Sequence, residues 1–328
     1  SFRNVVRLYP GTIESREALQ AMRNIYIALD RVDEFVRFSQ GLNIGSITSA
    51  QQDSLTYMAA ENRFMQGDCN NAVQSFNNYI ERFPNGVFAV NAHFYMAECN
   101  FRLNEFQRAL RGYEFVLGRP ISKFSENAAL RAAQINFRMQ QYDAALGHYR
   151  TLERIAEHRN NILEAQLGQM RSLDKLERSG EAMEVGRKII SNERVSQEIL
   201  QEANLIIARA AMITNDFTLA REHFRTVNRI AQNEMAAEAK YNLALIEFRL
   251  GNYKECETMI FNFINQLSAY DYWLAKLFLL LADNYLIQNN VFQARHTLQS
   301  IIENYEGEEI RNIARAKLNE IDRMGTQQ

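Results

Sequence analysis

Five histidines and three cysteines are the side chains from which a metal centre or an activated nucleophile would be built. His93, His148, His158, His223 and His296 are scattered, and no HxH or HExxH spacing puts two of them on one helix face. Cys69, Cys99 and Cys256 are odd in number, lie at least 30 residues apart and form no CxxC pair. Neither a zinc site nor a disulfide framework is suggested, and the three read as small apolar core residues that do not decide the compartment. No GxxxxGK[ST] or GxGxxG loop is present to cradle a phosphate. The abundant carboxylates fall mostly on polar helix faces and at helix starts, where the helix dipole favours them. The chain is therefore read as no enzyme, with no catalytic residue, no metal ligands and no cofactor.

The frame that would carry such groups is legible instead. The chain has 328 residues, 47% of them hydrophobic, enough for a core larger than one ordinary domain. Three prolines and 14 glycines are too few for a turn-rich β fold. Lys plus Arg (37) nearly balances Asp plus Glu (39), so no overall basic field exists to bind nucleic acid. The longest apolar stretch, "WLAKLFLLLADNYLI", is broken by Lys276 and Asp283 and is shorter than the roughly 20 residues of a membrane span. The opening "SFRNVVRLYP" carries no initiating Met and no signal peptide, and reads as a cut in a longer protein.

"NFRLNEFQRAL" (100–110), "NFRMQQYDAAL" (136–146) and "EFRLGNYKECE" (247–257) are near copies. The small residue three places after the aromatic extends to Val36, Ala72, Ala109, Ala145, Ala182, Ala220, Cys256 and Ala294, at intervals of 36 to 38 residues. A second small residue stands twelve places earlier, at Ala60, Ala97, Ala133, Ala208, Ala244 and Ala282. Between them lies a polar turn, as at Gly67-Asp68, Asn104-Glu105, Gln140-Gln141, Asn215-Asp216, Gly251-Asn252 and Asn289-Asn290. A large residue follows four after the anchor, at Phe76, Tyr113, Tyr149, Phe224, Ile260 and Leu298. Positions i and i+4 share a helix face, so small residues let two helices approach while large ones fill the space between pairs. The first copy departs with Asp33 at the aromatic position and the loose loop "GLNIGSITSA" after it. The fifth departs with Ser179 and Gly186, so looser packing and faster amide exchange are expected there.

This pattern resembles the tetratricopeptide repeat, a helix–turn–helix unit of about 34 residues. Ala97, Phe106, Ala109 and Pro120 carry the likeness, as do Ala60, Ala72, Phe76 and Pro84. The resemblance implies an all-α, right-handed α-solenoid over 1–328. It would hold eight repeats, near 17–52, 53–89, 90–125, 126–162, 163–200, 201–236, 237–274 and 275–307. A partial repeat over 1–16 and a capping helix over 308–328 complete eighteen helices. The endings "YPG" and "FPNG" are similar to a subgroup of bacterial cell-envelope proteins, the outer-membrane assembly lipoproteins and the Tol–Pal coordinator. On that likeness the periplasm or envelope is the expected compartment, with the cytoplasm as the alternative.

Function then rests on surface. First helices line the concave side of such a stack. The candidate partner groove is Tyr57, Glu61 and Phe64; Phe94, Glu98, Phe101 and Arg102; Gln134, Phe137 and Arg138; and Tyr241, Phe248 and Arg249. Two readings stay open for the aromatics, a groove floor and inter-repeat packing. Two stay open for the arginines, docking of an acidic peptide or carboxylate and plain solvation. Arg171 and Asp174 break the stripe in the fifth repeat. The resemblance implies a scaffold binding a protein or peptide; the alternative is the sensory or regulatory part of a larger enzyme or receptor. Phe2, Val5, Val6 and Tyr9 share one face of the N-terminal helix, and self-association through that face is expected unless preceding repeats cover it.

Overall fold

Each helix pair is closed by one backbone event. Asp30, Gly67, Asn104, Gln140, Glu177, Asn215, Gly251 and Asn289 all adopt positive φ, between 56° and 79°. In that conformation the next N–H turns back to the carbonyl six residues behind it in the chain, counting both ends. Arg31 donates to Tyr26 O at 2.9 Å, Glu105 to Asn100 O at 2.8 Å, and Asn290 to Tyr285 O at 2.8 Å. This is the Schellman ending, which consumes orphan carbonyls and stops the helix. Glycine and asparagine enter the left-handed region most cheaply, which explains Gly67, Asn104, Asn215, Gly251 and Asn289. The following residue often starts the next helix: Asp68, Asp216 and Asn290 each accept a backbone N–H as N-cap.

The computed structural model describes residues 1–42, 47–192 and 194–325; residues 43–46, within the loop read as loose, lie outside them. Eighteen α-helices and no strands form among the described residues. The chain makes two compact units, Ser1–Gly168 and Gln169–Gln328. The first holds α1 (Phe2–Leu8), α2 (Ile13–Ala28), α3 (Val32–Gln40), α4 (Ser49–Met65), α5 (Cys69–Arg82), α6 (Ala89–Arg102), α7 (Phe106–Leu117), α8 (Ser125–Arg138) and α9 (Tyr142–Ile155). The boundary falls inside α10 (Arg159–Lys175). The second holds α11 (Ser179–Ile190), α12 (Gln197–Ile213), α13 (Phe217–Ile230), α14 (Glu234–Arg249), α15 (Tyr253–Ile264), α16 (Asp271–Ile287), α17 (Val291–Asn304) and α18 (Glu308–Gly325).

In both units the anchors and their partners are sealed. Ala72, Ala109, Ala145, Ala220, Cys256 and Ala294 are fully buried, as are Ala60, Ala97, Ala133, Ala208, Ala244 and Ala282. Phe76, Tyr113, Phe224, Ile260 and Leu298 fill the space between pairs. The first repeat is shifted by one residue from the expected register. Asp30 is left-handed and α3 starts two residues later at Val32, so Phe35, not Val36, holds the anchor position. Both are buried, which is why the sequence pattern tolerated the slip.

Around Gly186 the fifth repeat is closely packed, contrary to expectation. Gly186 is buried, and a Cβ there would lie 2.9 Å from Ile207 Cγ1. The fully buried Ile207 fills the space that a large side chain occupies in other repeats. In the capping helix Ile310, Ala314 and Ile321 are buried, Leu318 is half-buried and Ile313 is exposed. In α1, Val6 is buried against the core of α2 and α3 while Phe2, Leu8 and Tyr9 are exposed.

Candidate functional site

The expected groove residues separate by burial. In the first unit Tyr57 and Phe94 are only 3% and 6% exposed. Tyr57 stacks on Phe88 at 4.4 Å and Phe94 on Phe124 at 4.6 Å, so both join successive pairs and neither faces solvent. Glu61 and Glu98 each accept a hydrogen bond from a tyrosine hydroxyl at 2.6 Å, Glu61 from Tyr57 and Glu98 from Tyr113. Burial first, and then those carboxylates, push both phenols well above their ordinary range. Arg131 lies 3.7 Å from Glu98 and donates to Gln134 at 3.4 Å.

Phe64, Phe101 and Phe137 are half-buried and keep part of each ring in solvent. Arginines cover two of these rings and Phe106, while Phe137 packs on Tyr142 at 5.3 Å. Arg102 sits over the Phe64 ring at 5.1 Å, Arg131 over Phe101 at 4.5 Å and Arg138 over Phe106 at 4.6 Å. Arg102 and Arg138 are exposed, and among the described residues neither has a carboxylate within ion-pair distance. Between α2 and α4 lies an open groove of about 460 Å³, with Ile27, Ala28, Met58 and Met65 as apolar lining and Glu61 and Asn62 at its side. Met58 and Met65 are 40% and 65% exposed. Sequence reading missed both, although their seven-residue spacing places them on one face of α4.

The second unit presents different chemistry on its first helices. Arg171 clamps Glu202 through two hydrogen bonds of 2.6 Å, and Arg209 clamps Glu238 through two of 2.5 Å. Asp174 stands 4.0 Å from Arg209, its carboxyl raised chiefly by burial. The residues that interrupt the aromatic stripe thus begin a ladder of ion pairs across α10, α12 and α14. Tyr241 packs at 5.7 Å from Trp273 and under Lys276, Phe248 packs on Tyr253 at 5.8 Å, and exposed Arg249 lies over Phe217 at 6.0 Å.

The cysteine expectation is overturned in part. Cys69 and Cys99 form a disulfide, with Cα atoms 5.0 Å apart, while Cys256 is free and buried. Cys69 opens α5 and Cys99 lies in the last turn of α6, positions the helix–turn–helix plan brings together despite their separation in sequence. Among the described residues no group of three or more His, Cys, Asp or Glu is placed to hold a metal ion, and no helix is long and apolar enough to cross a membrane.

Among solved structures, the C-terminal part of a repeat-containing protein from Cytophaga hutchinsonii superposes with a TM-score of 0.54 at 12% identity, over 77% of this chain and 97% of that one. A signal-transduction ATPase with a tetratricopeptide repeat sensor, from Pyrococcus horikoshii, gives 0.52 at 12% identity, over 97% of this chain and 50% of that one. Both likenesses concern the fold. No curated relative matches the sequence. Two family models do match, a tetratricopeptide repeat-like domain over residues 40–171 and a tetratricopeptide repeat over 207–255. Together they take in more than half of the chain, across pairs closed by Gly67, Asn104, Gln140, Asn215 and Gly251, and the chain belongs to the tetratricopeptide repeat family.

Proposed function

We propose that this chain is a non-enzymatic scaffold that binds a protein or peptide segment on the first-helix face of its first unit. The observation that carries this reading is the exposed apolar groove of Ile27, Ala28, Met58 and Met65. Methionine is flexible and polarizable, and suits surfaces that accept apolar side chains of varied shape. Arg102 and Arg138 are exposed cations without carboxylate partners on the same unit, so the favoured segment carries apolar anchors and acidic flanks. Tyr57 and Phe94 support the surface from below.

The disulfide favours a compartment. Such bonds persist in oxidising surroundings and are rare in a reducing cytoplasm. With the envelope-like helix endings at Pro10 and Pro84, this supports work in the bacterial periplasm or cell envelope.

The test is selection of peptides by display on the intact chain, followed by binding to variants. Met58→Glu with Met65→Glu should abolish binding, and Arg102→Ala should weaken peptides with acidic flanks about threefold to tenfold. Both methionines are exposed, so helical circular dichroism should not change. Selected peptides that bind wild type and the methionine variant equally would show that this face is not the site.

A further inference from the structure

A cavity of about 290 Å³ opens between α16 and α17 in the second unit. Its walls are Leu274, Phe278 and Ile301, with the Tyr305 ring beside them. Two carboxylates, Asp271 and Glu306, stand at its lining, and no lysine or arginine does. Among the described residues neither carboxylate has a cation within ion-pair distance. Nearby cations are engaged elsewhere. Lys276 lies over the Tyr241, Trp273 and Tyr272 rings at 4.6 to 5.5 Å, and Arg311 pairs with Glu308 at 3.1 Å. The Tyr305 hydroxyl is pushed up by burial and then by Tyr272, Asp271 and Glu309.

We infer that this cavity is a binding site for an organic cation, an ammonium or guanidinium carried on an apolar stem. The stem would lie on Leu274, Phe278 and Ile301, and the charge would reach Asp271 and Glu306 beside the Tyr305 ring. The volume lies at the small end of ligand sites, matching one amine of amino-acid size or one basic side chain of a partner. A carboxylate or phosphate would meet two like charges and no donor cation. The chemistry is the same for a free amine and for a lysine or arginine side chain, so the test separates them.

The intact chain is titrated by saturation-transfer NMR with 2-phenylethylammonium, with 3-phenylpropionate, an anion on the same stem, and with a capped glycyl-lysyl-glycine peptide. At least one cation should bind with a millimolar or better dissociation constant, about tenfold or more tighter than the anion. Binding of the amine alone identifies a small-molecule site; binding of the capped peptide identifies recognition of a basic side chain. Asp271→Asn with Glu306→Gln should weaken the cation by about tenfold. Both residues are exposed and Asp271 makes no N-cap bond, so the fold is retained. Equal affinity for cation and anion, unchanged affinity in the double variant, or no cation binding up to about 10 mM each overturns the assignment.

Discussion

The bond between Cys69 and Cys99 makes a prediction whose size follows from the chain between them. The sequence separation is 30 residues. Closing a loop of that length removes about 12 cal/mol/K of entropy from the unfolded chain, or about 3.6 kcal/mol at 25 °C. Both cysteines are buried at the seam between α5 and α6, so reduced thiols keep nearly the same apolar burial and the difference isolates the cross-link. The first unit is about the size at which 1 kcal/mol moves the midpoint by about 2–4 °C. Reduction should therefore lower its melting temperature by about 7–14 °C. The assay is calorimetry with and without a reductant, with Cys69→Ala plus Cys99→Ala as the control that reductant must not shift. Alkylation in denaturant without reductant should label Cys256 alone, and all three cysteines once the protein is reduced. Three labelled cysteines in unreduced protein, or a shift below about 2 °C, would refute the reasoning.

Gly186→Ala should destabilise the second unit by about 1–3 kcal/mol in urea unfolding, because its Cβ would crowd Ile207; Ile207→Val in the same chain should recover part of the loss. Tyr79→Phe should cost about 1–3 kcal/mol in the same assay. The Tyr79 hydroxyl donates to Asp53 of α4 at 2.6 Å and accepts from the Phe88 N–H at 3.1 Å, so its loss leaves that N–H without its acceptor and Asp53 with the Val87 N–H alone. Burial, with the charge of Arg119 second, holds the His93 imidazole down to about 4, so the unfolded chain takes up that proton first. Stability should be full above pH 6.5 and fall as the pH drops toward 4; His93→Gln should flatten that slope in urea titrations, with half-buried His148 and buried His223 keeping part of it.

The repeat was legible because its constraints are local. A left-handed residue must close each pair, and Gly or Asn at five of the eight positions announces it. Asp30, Gln140 and Glu177 do the same work without announcing it, and in the first repeat that concealment produced the one-residue slip. Ile207 filling the place of Gly186 was illegible for another reason. The compensation sits on the next helix pair, 21 positions on, and periodicity within one repeat does not report it. The groove was half legible. Helical spacing found the face, but Tyr57 and Phe64 share that spacing while one is sealed beneath the next pair and the other is half open. Only the position of the neighbouring pair separates them.

The same seam explains the arginines and the disulfide together. In four places the start of a second helix meets the end of the following first helix, at a nearly constant separation. Cys69 meets Cys99 there, Phe106 meets Arg138, Phe217 meets Arg249, and the Tyr253 carbonyl accepts from Asn284. One geometric requirement is thus answered by a covalent bond, by two cation–ring contacts and by a hydrogen bond. Where Cys69 takes the place of the opening aromatic, Arg102 has no such ring to cover and turns to Phe64 on the preceding first helix. Arg138 and Arg249 are therefore bound first to the stack, each contact worth about 0.5–1 kcal/mol. Arg102 instead is exposed over Phe64, the residue next to Met65 in the chain. Of the three, it is the arginine whose removal should alter partner binding more than stability.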